Sequence, residues 1–201
     1  MPTDSGATDS GSTDGPEIIA FESAEDFERW LAEHHDSSTG IWLKLRKKAP
    51  GLVALDYPQA LDSALCFGWI DGQKRKLDDA FWLQRFTPRR ARSRWSKINC
   101  DKVAALTEQG RMRPQGLAEV ERARADGRWE AAYDSPGNAR VPEDLALALA
   151  ANPAAAEFFA TLGGQNRYAV LYRIHEAKRP ETRARRIETF VAMLAEGRTL
   201  N

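Results

Sequence analysis

Cysteine and histidine are nearly missing from this sequence, which has two of the one and three of the other in 201 residues. Two thiols cannot build a disulfide scaffold or a four-thiolate zinc site, and three scattered histidines leave little for metal chemistry, so neither metal nor cofactor is expected. Net charge is missing as well, because 29 Lys and Arg balance 29 Asp and Glu. That removes overall attraction to nucleic acid or anionic lipid, and any electrostatic function has to be local. No window approaches the roughly 18 apolar residues of a membrane span. No basic stretch followed by an apolar one opens the chain, so the expectation is a cytoplasmic protein with no membrane insertion.

What is present is ordinary globular material, 42% of it apolar. Residues 1–16 contain no large apolar side chain after Met1 and are expected to be a disordered tail of net charge −3. Ile18, Ile19 and Phe21 look like a short strand. Ser23, with Asp26 three residues on, caps a predicted helix from Ala24 to about His34, with Phe27, Trp30 and Leu31 on one face. GIWLKLRKK alternates Ile41, Leu43, Leu45 with Trp42, Lys44, Arg46, the period of a strand. DYPQALDSALCFG reads as a helix with Asp56 as cap and Gly68 as stop. WIDGQKRKL and AFWLQRF then suggest a hairpin turning at Asp78-Asp79, with Arg75 facing Trp82, Gln73 facing Gln84 and Asp71 facing Phe86.

From Ser93 onward the period is helical. Trp95, Ile98, Val103 and Leu106 are expected on one side of a helix capped by Ser93 or Ser96, and a further helix covers about Pro114 to Ala125. The Pro, Gly and Asn of residues 135–141 mark a linker. Beyond it, helices break at Asn152-Pro153 and Arg179-Pro180, since proline is tolerated at a first helical position. The fold class is therefore α+β, predominantly helical, with a small antiparallel sheet or hairpin in residues 17–134 and a helical region at 142–201.

The charge is unevenly spread. Residues 71–113 carry a net +7 and residues 167–186 a net +5. Arginine dominates both, and its planar fork can hold carboxylate or phosphate through two hydrogen bonds. Arg85, Arg89, Arg90, Arg92 and Arg94 crowd toward a helix start, where unpaired N–H groups already disfavour cations. Lys178, Arg179, Arg183 and Arg186 repeat the pattern, with only Glu181 near in sequence. Two readings follow. Either the protein's own acids and helix-end carbonyls satisfy these groups, or they await an anionic small molecule, polyanion or partner. Nucleic acid is the specific anion to test first, since arginine among aromatic groups suits single strands, although no standard nucleic-acid signature occurs.

Catalytic motifs are thin. Cys66 and Cys100 read as small buried thiols, His34-His35 as a helix end, and Gly163-Gly164 as punctuation. The one catalytic candidate is Asp71 in GWIDG, which burial could tune into a general base, or which Arg85 or Arg89 could hold as an ion pair. An enzyme acting on a small phosphorylated or carboxylated substrate, with Asp71 as base, is thus the alternative to a binding protein.

The motifs GWIDG, TPRR-x-R-S-x-W-S-x-x-N and AKRPETRARR, within residues 20–198, resemble the bacterial bacteriocin-protection, YdeI or OmpD-associated family, whose label attaches to the part from about Val141. The resemblance implies a soluble bacterial protein with a mixed α and β core, linked to bacteriocin or antimicrobial-peptide tolerance and to an outer-membrane porin, with no reaction to transfer, and the expected function is a non-enzymatic stress or antimicrobial-protection role. Family-pattern positions include Trp69, Asp71, Arg89, Arg90, Ser93, Trp95, Ser96, Asn99, Lys178, Arg179, Arg183 and Arg186. With Arg85 they form the candidate ligand-binding set.

Overall fold

A computed structural model describes residues 17–47 and 55–200. The tail expected at 1–16 lies outside the described residues. Among those described, eight helices and a four-stranded mixed sheet make the protein α+β. The chain packs as two compact units: Met1–Arg92 with Leu106–Glu121, and Ser93–Ala105 with Arg122–Asn201.

The first unit contains β1 (Ile18–Ile19), α1 (Ala24–His34), β2 (Ile41–Arg46), α2 (Tyr57–Cys66), β3 (Trp69–Lys76) and β4 (Phe81–Pro88). Local chemistry sets the helix ends. The Ser23 hydroxyl accepts from the Asp26 N–H, and Asp56 forms a reciprocal capping box with Gln59. The chain leaves α2 through Gly68, whose φ of +75° suits glycine. Phe27 and Leu31 from α1 are fully buried with Leu43 and Phe86, and the Phe27 ring lies edge-on to Phe86 at 5.8 Å.

Strand order is β1-β2-β4-β3. The expected antiparallel sheet acquires one parallel pair, because Ile18 and Ile19 register with Trp42 and Leu43 in the same direction. The hairpin register also departs from expectation. Asp71 does face Phe86, but Lys74 faces Gln84, Arg75 faces Leu83 and Lys76 faces Trp82. The cause is a bulge between Asp71 and Lys74, where one extra residue is absorbed and the Gly72 carbonyl accepts from the buried Gln84 side chain at 2.9 Å. The turn is correspondingly longer than two residues, with the Asp78 carboxylate accepting from the N–H groups of Ala80 and Phe81.

Helices α3 (Lys97–Glu108) and α4 (Pro114–Ala125) contribute residues to both units. The second unit continues with α5 (Glu143–Ala150), α6 (Pro153–Thr161), α7 (Gly164–His175) and α8 (Pro180–Ala195). Asn152 caps α6 through the Ala155 N–H, and prolines open α6 and α8. Leu145, Phe159, Ile174, Phe190 and Leu194 are among the residues of its apolar core. Ile98, expected inward on α3, is instead 46% exposed. The helix begins only at Lys97, after Ser96 has accepted from the Asn99 N–H, so the short Trp95–Ser96 segment lies outside the helical period and pairs alongside Tyr133.

Candidate functional site

The arginines of the second unit are largely engaged by its own groups. Arg183 holds both Asp144 carboxylate oxygens, at 2.5 and 2.9 Å, and also donates to the Ile174 carbonyl at 2.9 Å. Glu181 is therefore not its counter-charge; Asp144 on α5 is. Arg186 donates to the Arg173 carbonyl. Arg94 pairs with Glu176 and donates to the Tyr172 hydroxyl at 2.5 Å. Lys178 and Arg179 remain exposed. Trp95 is buried against Trp129, ring centroids 4.8 Å apart. The Ser93 carbonyl accepts from Arg128 at 2.7 Å, while Ser96 and Asn99 are buried at the α3 cap.

In the first unit, Trp69 is buried and donates its indole N–H to the His35 carbonyl. Arg89 is buried too, its backbone N–H bonded to the Gly68 carbonyl, and Arg90 is exposed. Asp71 accepts from the Tyr57 phenol at 2.8 Å. Among the described residues it makes no ion pair, so the salt bridge to Arg85 or Arg89 weighed above is not formed. Arg85 reaches the Thr39 carbonyl at 3.4 Å and lies with Arg75 over the Trp42 ring. Among the described residues, no cluster of three His, Cys, Asp or Glu side chains could hold a metal.

A concave site in the second unit involves one residue of the expected set and several others. Its cavity of about 240 Å³ is lined by Tyr133, Asp134, Ala139, Arg140, Pro142, Tyr168, Leu171, Tyr172, His175 and Arg183. Helix α7 builds the main wall, since residues 168, 171, 172 and 175 recur at i, i+3, i+4 and i+7 and so share one face. Tyr133 stands edge-on to Tyr172, centroids 5.4 Å apart, and Tyr168 lies 5.6 Å from Tyr172. The Tyr168 hydroxyl donates to the Asp134 carbonyl at 2.9 Å, which locks the ring across the cavity.

The electrostatics are mild. Lys97 neutralises Asp134 at 2.8 Å, and Asp144 neutralises Arg183. Although His175 is exposed as a residue, partial desolvation of its imidazole, reinforced by the nearby Lys178 charge, lowers it below its usual range and favours its neutral form. Burial likewise raises the Tyr168 phenol, keeping it protonated. Arg140 is exposed on the rim and has no ion pair among the described residues. The site therefore offers an aromatic wall, phenolic and imidazole groups, and one guanidinium not committed to a carboxylate. Such a combination suits a small amphipathic anion better than a highly charged one.

Sequence reasoning missed this wall because a tyrosine and histidine stripe at helical spacing ordinarily reads as core. The available signal was the alignment of Tyr168, Tyr172 and His175 on one face beside a short linker.

Two family models match the chain. Residues 19–119, half of it, match the one described as "Domain of unknown function (DUF8412)". Residues 138–197 match the one described as "Bacteriocin-protection, YdeI or OmpD-Associated". The motif resemblance traced over 20–198 thus divides, with the GWIDG and TPRR motifs lying in the first match and AKRPETRARR in the second. No curated protein and no solved structure matches.

Proposed function

We propose that this chain, which belongs to the DUF8412 family through half its length and carries a bacteriocin-protection, YdeI or OmpD-associated segment at residues 138–197, is a cytoplasmic protection protein that binds its ligand without transforming it. The ligand is a small anion with an aromatic or apolar body. The observation that carries this reading is the tyrosine-walled cavity with Arg140 at its rim, lined mainly by residues of the 138–197 segment. Arginine-rich segments enter the function selectively: Arg183 shapes the cavity wall while its charge is taken by Asp144. An enzymatic role for Asp71 has less support, because its carboxylate accepts from Tyr57 and makes no ion pair among the described residues.

The test is a thermal-shift comparison of benzoate, phenyl phosphate and sulfate. A ligand at a hundred times its Kd adds about 2.7 kcal/mol, so an aromatic anion should raise Tm by several degrees while sulfate does little. The increase should vanish in Tyr172→Ala and shrink in Arg140→Ala. Equal response to all three anions, or an aromatic response that survives both substitutions, would reject the site.

A further inference from the structure

The first unit carries a separate surface, on the side of its sheet away from α1 and α2. Side chains alternate along a strand, so the register sorts residues into two faces. Leu43, Gln84 and Phe86 share the face on which Phe27 packs. The opposite face carries Trp42, Lys44 and Arg46 from β2, Phe81, Leu83 and Arg85 from β4, and Arg75 from β3. Four of these are cations and none is acidic.

The cations are arranged over the aromatic rings. The Arg75 guanidinium lies 4.2 Å from the Trp42 ring centroid, and that of Arg85 lies 5.9 Å from the same ring. At the other end Lys44 is 4.1 Å and Arg46 5.6 Å from the Phe81 centroid. Covering an aromatic ring is a sufficient role for one guanidinium, but it does not account for two on one tryptophan, where like charges repel. Arg85 Nη1 is buried and makes no hydrogen bond, while Nη2 has only the long contact to Thr39. Burial and the neighbouring Arg75 both weaken the hold of Arg85 on its proton, as expected of a cation lacking a counter-charge. Neither Arg75 nor Arg85 has a carboxylate partner among the described residues.

The spacing argues for a polymer. Trp42 and Arg46 are four residues apart on one strand, roughly 13 Å, too far for one phosphate to serve both cation clusters. A chain bearing phosphates at regular intervals reaches both. Trp42 itself is buried beneath its guanidinium cover. Polyphosphate meets the charge requirement alone, whereas nucleic acid also uses the flat guanidinium of Arg75 and the part-exposed Phe81 ring, on which unpaired bases stack. Stacking of that kind needs unpaired bases, which favours a single strand.

We propose that this face binds single-stranded nucleic acid, with backbone phosphates on Arg75, Lys44 and Arg46 and bases against the guanidinium plane that covers the buried Trp42 ring and against Phe81. The site is independent of the tyrosine-walled cavity, and a neutral chain can support it because its field is local.

The experiment is fluorescence anisotropy of the full chain with a labelled oligothymidylate of about 16 nucleotides, at about 50 and about 200 mM salt. Binding should weaken steeply with salt. Arg75→Glu and Arg46→Glu, both at exposed positions, should each weaken it about tenfold or more, with a smaller salt slope. Arg185→Glu, an equal charge change on α8, should leave it within about twofold. Unchanged thermal midpoints for the variants will show that folding is intact. The proposal is overturned by absence of binding at low salt, by retention of affinity in both face variants, or by equal loss in Arg185→Glu. Inorganic polyphosphate competing as well as unlabelled oligonucleotide would overturn the assignment to nucleic acid.

Discussion

Arg183 on α8 closes a two-pronged hydrogen bond onto Asp144 on α5 and with its remaining nitrogen holds the end of α7 through the Ile174 carbonyl. One side chain thus ties three helices, and it does so at the edge of the cavity. The bonds lower the Asp144 carboxyl below its ordinary 3.8. Since the folded value is the lower one, this contribution is present above the unfolded value and is lost as pH falls through the folded one. Arg183→Ala is expected to cost about 1–2 kcal/mol at neutral pH, discounted for partial exposure. Arg183→Lys should recover only part of that, because lysine lacks the fork. Urea midpoints at neutral pH and near pH 3 provide the check: the difference between wild type and Arg183→Ala should narrow in acid.

His175 works in the same direction from a different cause. Partial desolvation, then Lys178, depresses its folded value below 6.5, opposed by the Ala131 carbonyl and Asp134, with Arg183 adding to the depression. The unfolded chain therefore takes up the proton first. Stability is complete above about pH 6.5 and declines as pH falls towards the lowered value. His175→Gln should flatten the dependence of Tm on pH between about 5 and 6.5; an unchanged slope would assign it to another group.

Gly116 lets the start of α4 approach the end of α2 closely. A Cβ there would lie 2.2 Å from the Cys66 carbonyl oxygen and 2.9 Å from that of Leu65, both backbone atoms. The Arg113 N–H donates to the same Cys66 carbonyl, so the start of α4 is seated on the end of α2. Gly116→Ala should destabilise by about 3 kcal/mol through overpacking. Gly137→Ala, where nothing lies within 4 Å, serves as the matched control and should be near neutral by chemical denaturation.

The two cysteines should differ in reactivity. Cys66 is 1% exposed, and burial pushes its thiol up to about 11, leaving almost no thiolate near neutrality. Cys100 is partly exposed. A thiol reagent applied to the native protein at about pH 8 should modify Cys100 first and reach Cys66 only on unfolding. Rapid native labelling of both would contradict the packing of α2.

Helix ends were legible because their causes are local. Ser23, Asp56 and Asn152 each bond to a backbone N–H three residues away, and Pro180 can only begin a helix. Within the arginine segments the residue types were visible but their partners were not. Asp144 lies 39 residues from Arg183, and no periodicity encodes a contact at that distance. The hairpin shows the same limit at shorter range, since one extra residue at Gly72-Gln73 moves Arg75 from Trp82 to Leu83 as its cross-strand neighbour.

Periodicity and capping chemistry thus specified the helices, most of the strands and the uneven distribution of arginine, all of which depend on neighbours a few positions along the chain. Which arginines are spent on internal carboxylates, and which gather over Trp42 without one, was settled by folding. Charge pairing depends on distance in space, and a sequence records distance only along the backbone.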